Sequence, residues 1–241
     1  MHLDVVFLPG GIGGLSGRTG VVIDVLRATT TVINALANGC PGVLPVDQPE
    51  EAIELARRLG RDSHLIGGER KGEKVEGFDL GNSPLEYGRV ALAGRKVILC
   101  TTNGTRAVKR AAAAGARPLL LAALTNAPAV AAHLLGAGAP ATLVCAGREE
   151  AFSLEDALCA GLICDAILRD RHWTGTDAAR AAAALWARFG RARTPAALAG
   201  SDHGRYLLSL GYAGDLDFAA RVGSTALIPA LRDGYLVPLG G

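Results

Sequence analysis

The chain has 241 residues, 49% of them hydrophobic and 20% charged, and its 25 Lys+Arg against 23 Asp+Glu give a formal net charge of +2. That length and composition suit a packed core without disulfide or metal staples and exclude a mainly disordered chain. The near-neutral balance makes no electrostatic case for nucleic acid or an anionic membrane as main partner.

Taken in chain order, short β-branched or leucine-rich runs alternate with alanine-rich stretches. Residues 5–8 and 21–25 read as strands around a glycine-rich connection, and Asp4 in the first apolar run, with no basic residue before it, argues against a signal peptide. Ala28–Ala37 reads as a helix ending at Asn38-Gly39, Val43–Val46 as a strand, and Pro49–Leu59 as a helix with acids first and arginines last. Further strands are expected at 64–66, 97–100, 119–124 and Ala141–Cys145, with helices at 84–90, 105–114, 128–135 and 154–171. Residues 118–147 carry no Asp, Glu, Lys or Arg. A membrane span needs about 20 consecutive apolar residues, and Asn126, Pro128, His133, Gly136, Gly138 and Pro140 interrupt this run, so it reads as strand, helix, strand. Beyond Trp173 helices are expected at 177–189, 195–198, 203–210 and 216–221, then a short strand at 235–237. The expectation is a single domain over 1–241: a three-layer α/β/α sandwich with a largely parallel or mixed sheet (1–172) and a mainly helical C-terminal part (173–241).

Polar residues gather just after the strands, where open parallel sheets bind ligands. Asp24 is followed by Arg27 and Thr29-Thr30-Thr31; Glu69-Arg70, Thr101-Thr102-Asn103-Gly104-Thr105-Arg106 and Gly147-Arg148 close three more strands. Residues 101–106 are the best phosphate candidate: Gly104 admits a close backbone approach, and a following helix would aim its first amides at an anion, although Asn-Gly is also a plain turn. Asp24 is either an N-cap or a magnesium ligand or nucleophile. Glu155 and Asp156 are metal or acid–base candidates, yet Ser153 to Asp156 also matches a capping box, as does Ser83 to Glu86. Residues 68–82 form the longest stretch without clear periodicity, either a solvated charged loop or a lid.

Five cysteines without a C-x-x-C pair suit a reduced, cytoplasmic setting. Cys100 lies six residues before Arg106 between a strand and a helix, the layout of cysteine-based phosphatases; the plainer reading is a buried strand thiol. His203 is either a general acid or a helix-start histidine.

Asp24 through Thr31, Gly68-Glu69-Arg70, Gly77 through Pro84 and Thr101 through Thr105 occur in one order, followed by Gly147 to Asp156 and Ser201-Asp202-His203-Gly204. Together they resemble the 2-phosphosulfolactate phosphatase family, over nearly the whole chain. The resemblance implies a magnesium-dependent hydrolase that converts (R)-2-phospho-3-sulfolactate to 3-sulfolactate and phosphate, a reaction of coenzyme M biosynthesis in methanogens. Its motif positions place Asp24, Glu69, Asp79, Asn82, Asn103 and Asp156 in the site. Asp24, Glu69, Asp79, Glu155 and Asp156 are then the candidate metal ligands. The partner is a small anionic phosphorylated acid, neutralised by Arg27, Arg70, Arg106 and Arg148, and a homodimer is the default assembly. A cysteine phosphatase working through Cys100 and Arg106, and a non-enzymatic anion sensor, are the alternatives. An aspartyl-phosphate mechanism of the haloacid-dehalogenase type is disfavoured, because Leu26 stands where its second aspartate is needed.

Overall fold

The alternating pattern folds as an α/β architecture in the computed structural model, which describes residues 1–240. The elements are β1 (His2–Val6), β2 (Thr19–Ile23), α1 (Ala28–Ala37), β3 (Val43–Val46), α2 (Pro49–Leu59), β4 (His64–Arg70), β5 (Glu73–Lys74), α3 (Arg89–Leu92), β6 (Lys96–Cys100) and α4 (Gly104–Ala113). They continue with β7 (Leu119–Ala122), α5 (Ala127–Ala137), β8 (Ala141–Cys145), α6 (Leu154–Ile167), β9 (Thr174–Gly175), α7 (Asp177–Gly200), α8 (Asp202–Ser209), α9 (Ala213–Ala219), β10 (Pro229–Arg232) and β11 (Tyr235–Pro238). Helices cover both faces of one mixed sheet, as expected, and among the described residues no helix is long and apolar enough to cross a membrane.

The sheet order is β5-β4-β6-β3-β11-β10-β7-β2-β8-β1-β9. It contains two parallel blocks, β4-β6-β3 and β7-β2-β8-β1-β9, joined by the antiparallel hairpin β10–β11. The hairpin meets β7 through Ala230 opposite Leu120 and β3 through Leu236 opposite Val43. Residues 229–232 are not among the expected strands; Pro229 is the first residue of β10, where proline is tolerated, and faces Pro238.

Strand side chains alternate between faces. Val21, Ile23, Leu120 and Leu143 pack against Val130, Leu134, Ile163 and Ile167 of α5 and α6. Val22, Leu121 and Val144 point the other way and share a second core with Leu65, Val97 and Leu99 of the opposite block, Val32 and Leu36 of α1, and Val108 of α4. Ile66, Ile98 and Cys100 turn to Ala52 and Ala56 of α2. One face of each block therefore borders a common core around α1 and α4. This arrangement brings the ends of β2 and β6 together, although β3, β11, β10 and β7 separate them in the sheet order.

Several expected bounds move. β4 runs on to Arg70 and pairs with β5, so Glu69-Arg70 lies on a strand rather than in a loop. The helix expected at 84–90 is a 3-10 turn, Pro84–Glu86, followed by α3. Gly190, at φ 61°, interrupts α7 next to the boundary expected after residue 189.

Candidate active site

The turn between β2 and α1 is fixed from within. The Asp24 carboxylate accepts from the Ala28 N–H (3.1 Å), the Thr29 hydroxyl lies 2.7 Å from both the Asp24 and the Ala122 carbonyl oxygens, and the Thr30 hydroxyl donates to the Val25 carbonyl (2.7 Å). Thr31 donates to the Asn82 carbonyl (2.8 Å), tying this turn to residues 82–84. The threonine run thus organises backbone, and Thr29 and Thr30 do not line the cavity described below. Asp24 does, and Gly104 at the start of α4 sits against its carboxylate.

Glu69, near the end of β4, is 7% exposed and already held. It accepts from the Thr102 N–H (2.8 Å), the Gly72 N–H (2.8 Å) and the Thr102 hydroxyl (3.3 Å). Gly68 makes this register possible: at φ 143°, an added Cβ would stand 1.9 Å from the Cys100 carbonyl oxygen.

Asp24, Leu26, Arg27, Glu69, Lys71, Gly72, Asn82, Thr101, Thr102, Asn103, Arg148, Glu149, His203 and Tyr206 line one cavity of about 140 Å³. It lies beyond the carboxyl ends of β2, β4, β6 and β8, where the polar loops were expected to converge. Arg27 reaches it from a buried ion pair with Asp215 (2.8 Å), stacked on Tyr212. Arg70 instead donates to the Glu69 carbonyl, the Asp47 carbonyl and the Cys100 sulfur, and does not line the cavity. Neither do Gly104, Thr105 and Arg106; the Arg106 side chain is exposed.

The remaining carboxylates divide. Asp79 is bound by Arg61 (2.5 Å) and the Ile66 N–H (2.7 Å), away from the cavity. Asp156 accepts from the Val25 N–H (2.8 Å) and the Gly147 N–H (3.1 Å), linking the ends of β2 and β8. Its helix is capped by the Ser153 hydroxyl, so the Asp156 carboxylate is used across the sheet instead of closing a reciprocal box. Glu155 is 1% exposed, faces the adjoining cavity of about 170 Å³, and stands 3.4 Å from His203 Nδ1.

Burial pushes the Asp24 carboxyl up to about 6, with Glu69 and Glu155 adding to the rise and His203 and the Ala28 N–H opposing it. Burial, Asp24 and Glu155 raise Asp156 well above the usual carboxylate range against its two N–H donors. For Glu155 burial also acts upward, but His203 and Ser201 outweigh it and hold the carboxyl low.

Among the described residues no group of three or more His, Cys, Asp or Glu side chains could by itself hold a metal ion. The buried oxygen donors at the cavity include Asp24, Glu69 and Asn82 Oδ1, the last without a hydrogen-bond partner. That set fits a hard cation such as magnesium, which takes one or two carboxylates and keeps its waters for substrate oxygens.

Cys100 gives no thiolate route. It is fully buried on the α2 side of the sheet, burial raises its thiol despite Arg70 beside it, and Arg106 is elsewhere. Lys71, Tyr206 and Glu149 were not singled out as site residues in the sequence. Lys71 and Tyr206 meet only because the β4–β5 turn packs on α8, with the Tyr206 hydroxyl donating to the Lys71 carbonyl (2.8 Å).

Fold and site define an α/β protein with a compact, charged crevice at the ends of parallel strands. The chain belongs to the 2-phosphosulpholactate phosphatase family, whose sequence profile matches residues 13–234. Relatives named probable 2-phosphosulfolactate phosphatase come from Symbiobacterium thermophilum (43% identical, covering 93% of this chain and 96% of the relative), Deinococcus radiodurans (43%, 91% and 90%) and Carboxydothermus hydrogenoformans (39%, 98% and 97%).

Proposed function

We propose that the protein is a magnesium-dependent phosphatase that hydrolyses (R)-2-phospho-3-sulfolactate to 3-sulfolactate and phosphate. The observation that carries this reading is the single cavity in which two buried carboxylates, Asp24 and Glu69, face Lys71, Arg148 and His203. The family and its relatives' names supply the substrate. The buried, unpaired thiols suit a reducing cytoplasm.

Asp24, Glu69 and Asn82 would hold the magnesium, which when bound neutralises phosphoryl oxygens and makes a bound water a better nucleophile. The chain's own groups do the rest. Glu69 is locked by Thr102 and Gly72, so its position is set before substrate arrives. His203 turns Nδ1 to Glu155, which leaves Nε2 as the ring nitrogen available to the cavity. An alkoxide leaving group needs a proton, and this imidazole would deliver it to the ester oxygen. Arg27 and its partners fix the Gly72 wall through the guanidinium's bond to the Gly72 carbonyl (2.5 Å).

Phosphate release from phosphosulfolactate, with EDTA and after magnesium is restored, tests the reading. Turnover should vanish in EDTA, return with magnesium, and be absent in Asp24→Asn. Full activity in EDTA would remove the metal, and tight binding without any phosphate release would make the crevice a sensor.

A further inference from the structure

Among the cations that line the cavity, Arg27 is held in a buried ion pair with Asp215. Arg148 differs. Its guanidinium lies 4.5 Å over the Tyr206 ring, and its one hydrogen bond is a long 3.5 Å contact to the Asp202 carbonyl. It makes no ion pair among the described residues, yet it lines both the main cavity and the adjoining one. Lys71 likewise lines the cavity without an ion pair among the described residues, and its carbonyl is bound by the same Tyr206.

The cavity therefore holds both signs of charge: the buried carboxylates of Asp24 and Glu69, which call for a cation, and Arg148 and Lys71, which make no ion pair among the described residues although the exposed Glu149 also lines the cavity. Stacking leaves the edge of a guanidinium free, and that edge is the fork that matches planar or tetrahedral oxyanions. Resting on the hydrolase reading above, the geometry points to a specificity subsite: Arg148, backed by Tyr206 and helped by Lys71, grips a second acid group of the substrate, its sulfonate, while the phosphoryl group sits at Asp24 and Glu69. The preferred substrates are then phosphomonoesters that carry a strong acid group on the neighbouring carbon. A cavity of about 140 Å³ restricts them to a few carbons. The pairing also gives Tyr206 its role: its hydroxyl holds the Lys71 turn while its face supports Arg148.

The test crosses two ligands with one variant. Binding of 3-sulfolactate and of lactate, which lacks the sulfonate, is measured calorimetrically in magnesium. Phosphate release is followed in parallel from 2-phosphosulfolactate and 2-phospholactate. Wild type should prefer the sulfonated member of each pair. Arg148→Gln should weaken 3-sulfolactate binding and lower kcat/KM on phosphosulfolactate by about 10- to 100-fold, the range for a lost charge-assisted hydrogen bond. Lactate and phospholactate should stay within about twofold. Arg148→Lys should recover part of the loss. Equal losses on both members of a pair would place Arg148 on a group they share, the carboxylate or, if only the esters lose, the phosphoryl group, and no loss on either would leave it outside the site; each of these results overturns the subsite. If wild type releases no phosphate while Arg148→Gln still abolishes the preference for 3-sulfolactate, the subsite stands and the hydrolase reading falls.

Discussion

Gly104 lies directly against Asp24: a Cβ added at position 104 would stand 2.7 Å from Asp24 Oδ2 and 2.5 Å from the Ala28 Cβ. Two helix starts, α1 and α4, are thereby brought within touching distance across the common core. Alanine is the better helix former by about 1 kcal/mol, so on propensity alone Gly104→Ala would stabilise. Overpacking of this kind costs about 1–3 kcal/mol, and displacing a reacting group by an ångström costs on the order of 100-fold in rate. We expect Gly104→Ala to lose about 100-fold in kcat while its urea midpoint falls only slightly. Wild-type kcat would show that the approach does not matter.

Asp24 should trade stability for function. In metal-free protein its folded carboxyl titrates near 6, against 3.8 without its burial. Between those values the folded chain holds more protons than the unfolded chain, so the stability it contributes is present at low pH and is lost as pH rises through about 4 to 6. Two units correspond to about 3 kcal/mol. Asp24→Asn removes this loss. In EDTA at pH 7.5 the variant should be about 1–3 kcal/mol more stable than wild type, with the gap shrinking toward pH 4 and turnover absent. Urea denaturation across pH measures it; a gap that does not change with pH refutes the assignment.

What was legible in the sequence was local. Ala28–Ala37 and Pro49–Leu59 carry their helix period and end signals in a few residues, and Gly190 stops α7 beside the expected break. The strand-end clusters pointed to Asp24, Glu69 and Thr101 to Asn103, which do meet in one cavity. What could not be read depends on long-range packing. Arg70 and Arg106 look like Arg148 in sequence, but only the curl of the sheet decides that Arg148 faces the cavity while Arg70 turns to Asp47. Asp215 gave no signal, because its meaning comes from Arg27, 188 residues away.

That pair yields the next expectation. Arg27 and Asp215 are 3% and 2% exposed, and the Ser83 hydroxyl also donates to Asp215 (2.5 Å). Removing one member of a buried pair strands the other charge and costs about 3–5 kcal/mol. Asp215→Ala should lower stability by that much in urea, and Asp215→Asn, which keeps hydrogen bonding, by clearly less. Since Arg27 also holds the Gly72 wall, Asp215→Asn should raise KM. An Asp215→Ala protein as stable as wild type would mean the pair is not formed in solution.

Cys100 should be dispensable for chemistry. It packs among Val46, Ile66, Phe78 and Ile98, and burial keeps its thiol protonated. Cys100→Ala should retain kcat within about threefold, with a modest cavity cost of about 1–2 kcal/mol in stability. Iodoacetamide should leave the native protein active. A loss beyond 100-fold in this variant would return the thiolate mechanism to consideration.

His203 should matter according to the leaving group. An alkyl phosphate departs as a strong base and needs a proton, whereas p-nitrophenyl phosphate departs as a stabilised phenolate and does not. General acid catalysis contributes about 100- to 10,000-fold. His203→Gln should therefore lose at least 100-fold in kcat on phosphosulfolactate but less than about tenfold on p-nitrophenyl phosphate. Glu155→Gln, which leaves the imidazole in place but removes the carboxylate 3.4 Å from Nδ1, should show the same pattern to a smaller degree. Equal losses on both substrates would make His203 a binding residue, and the proton would have to come from solvent.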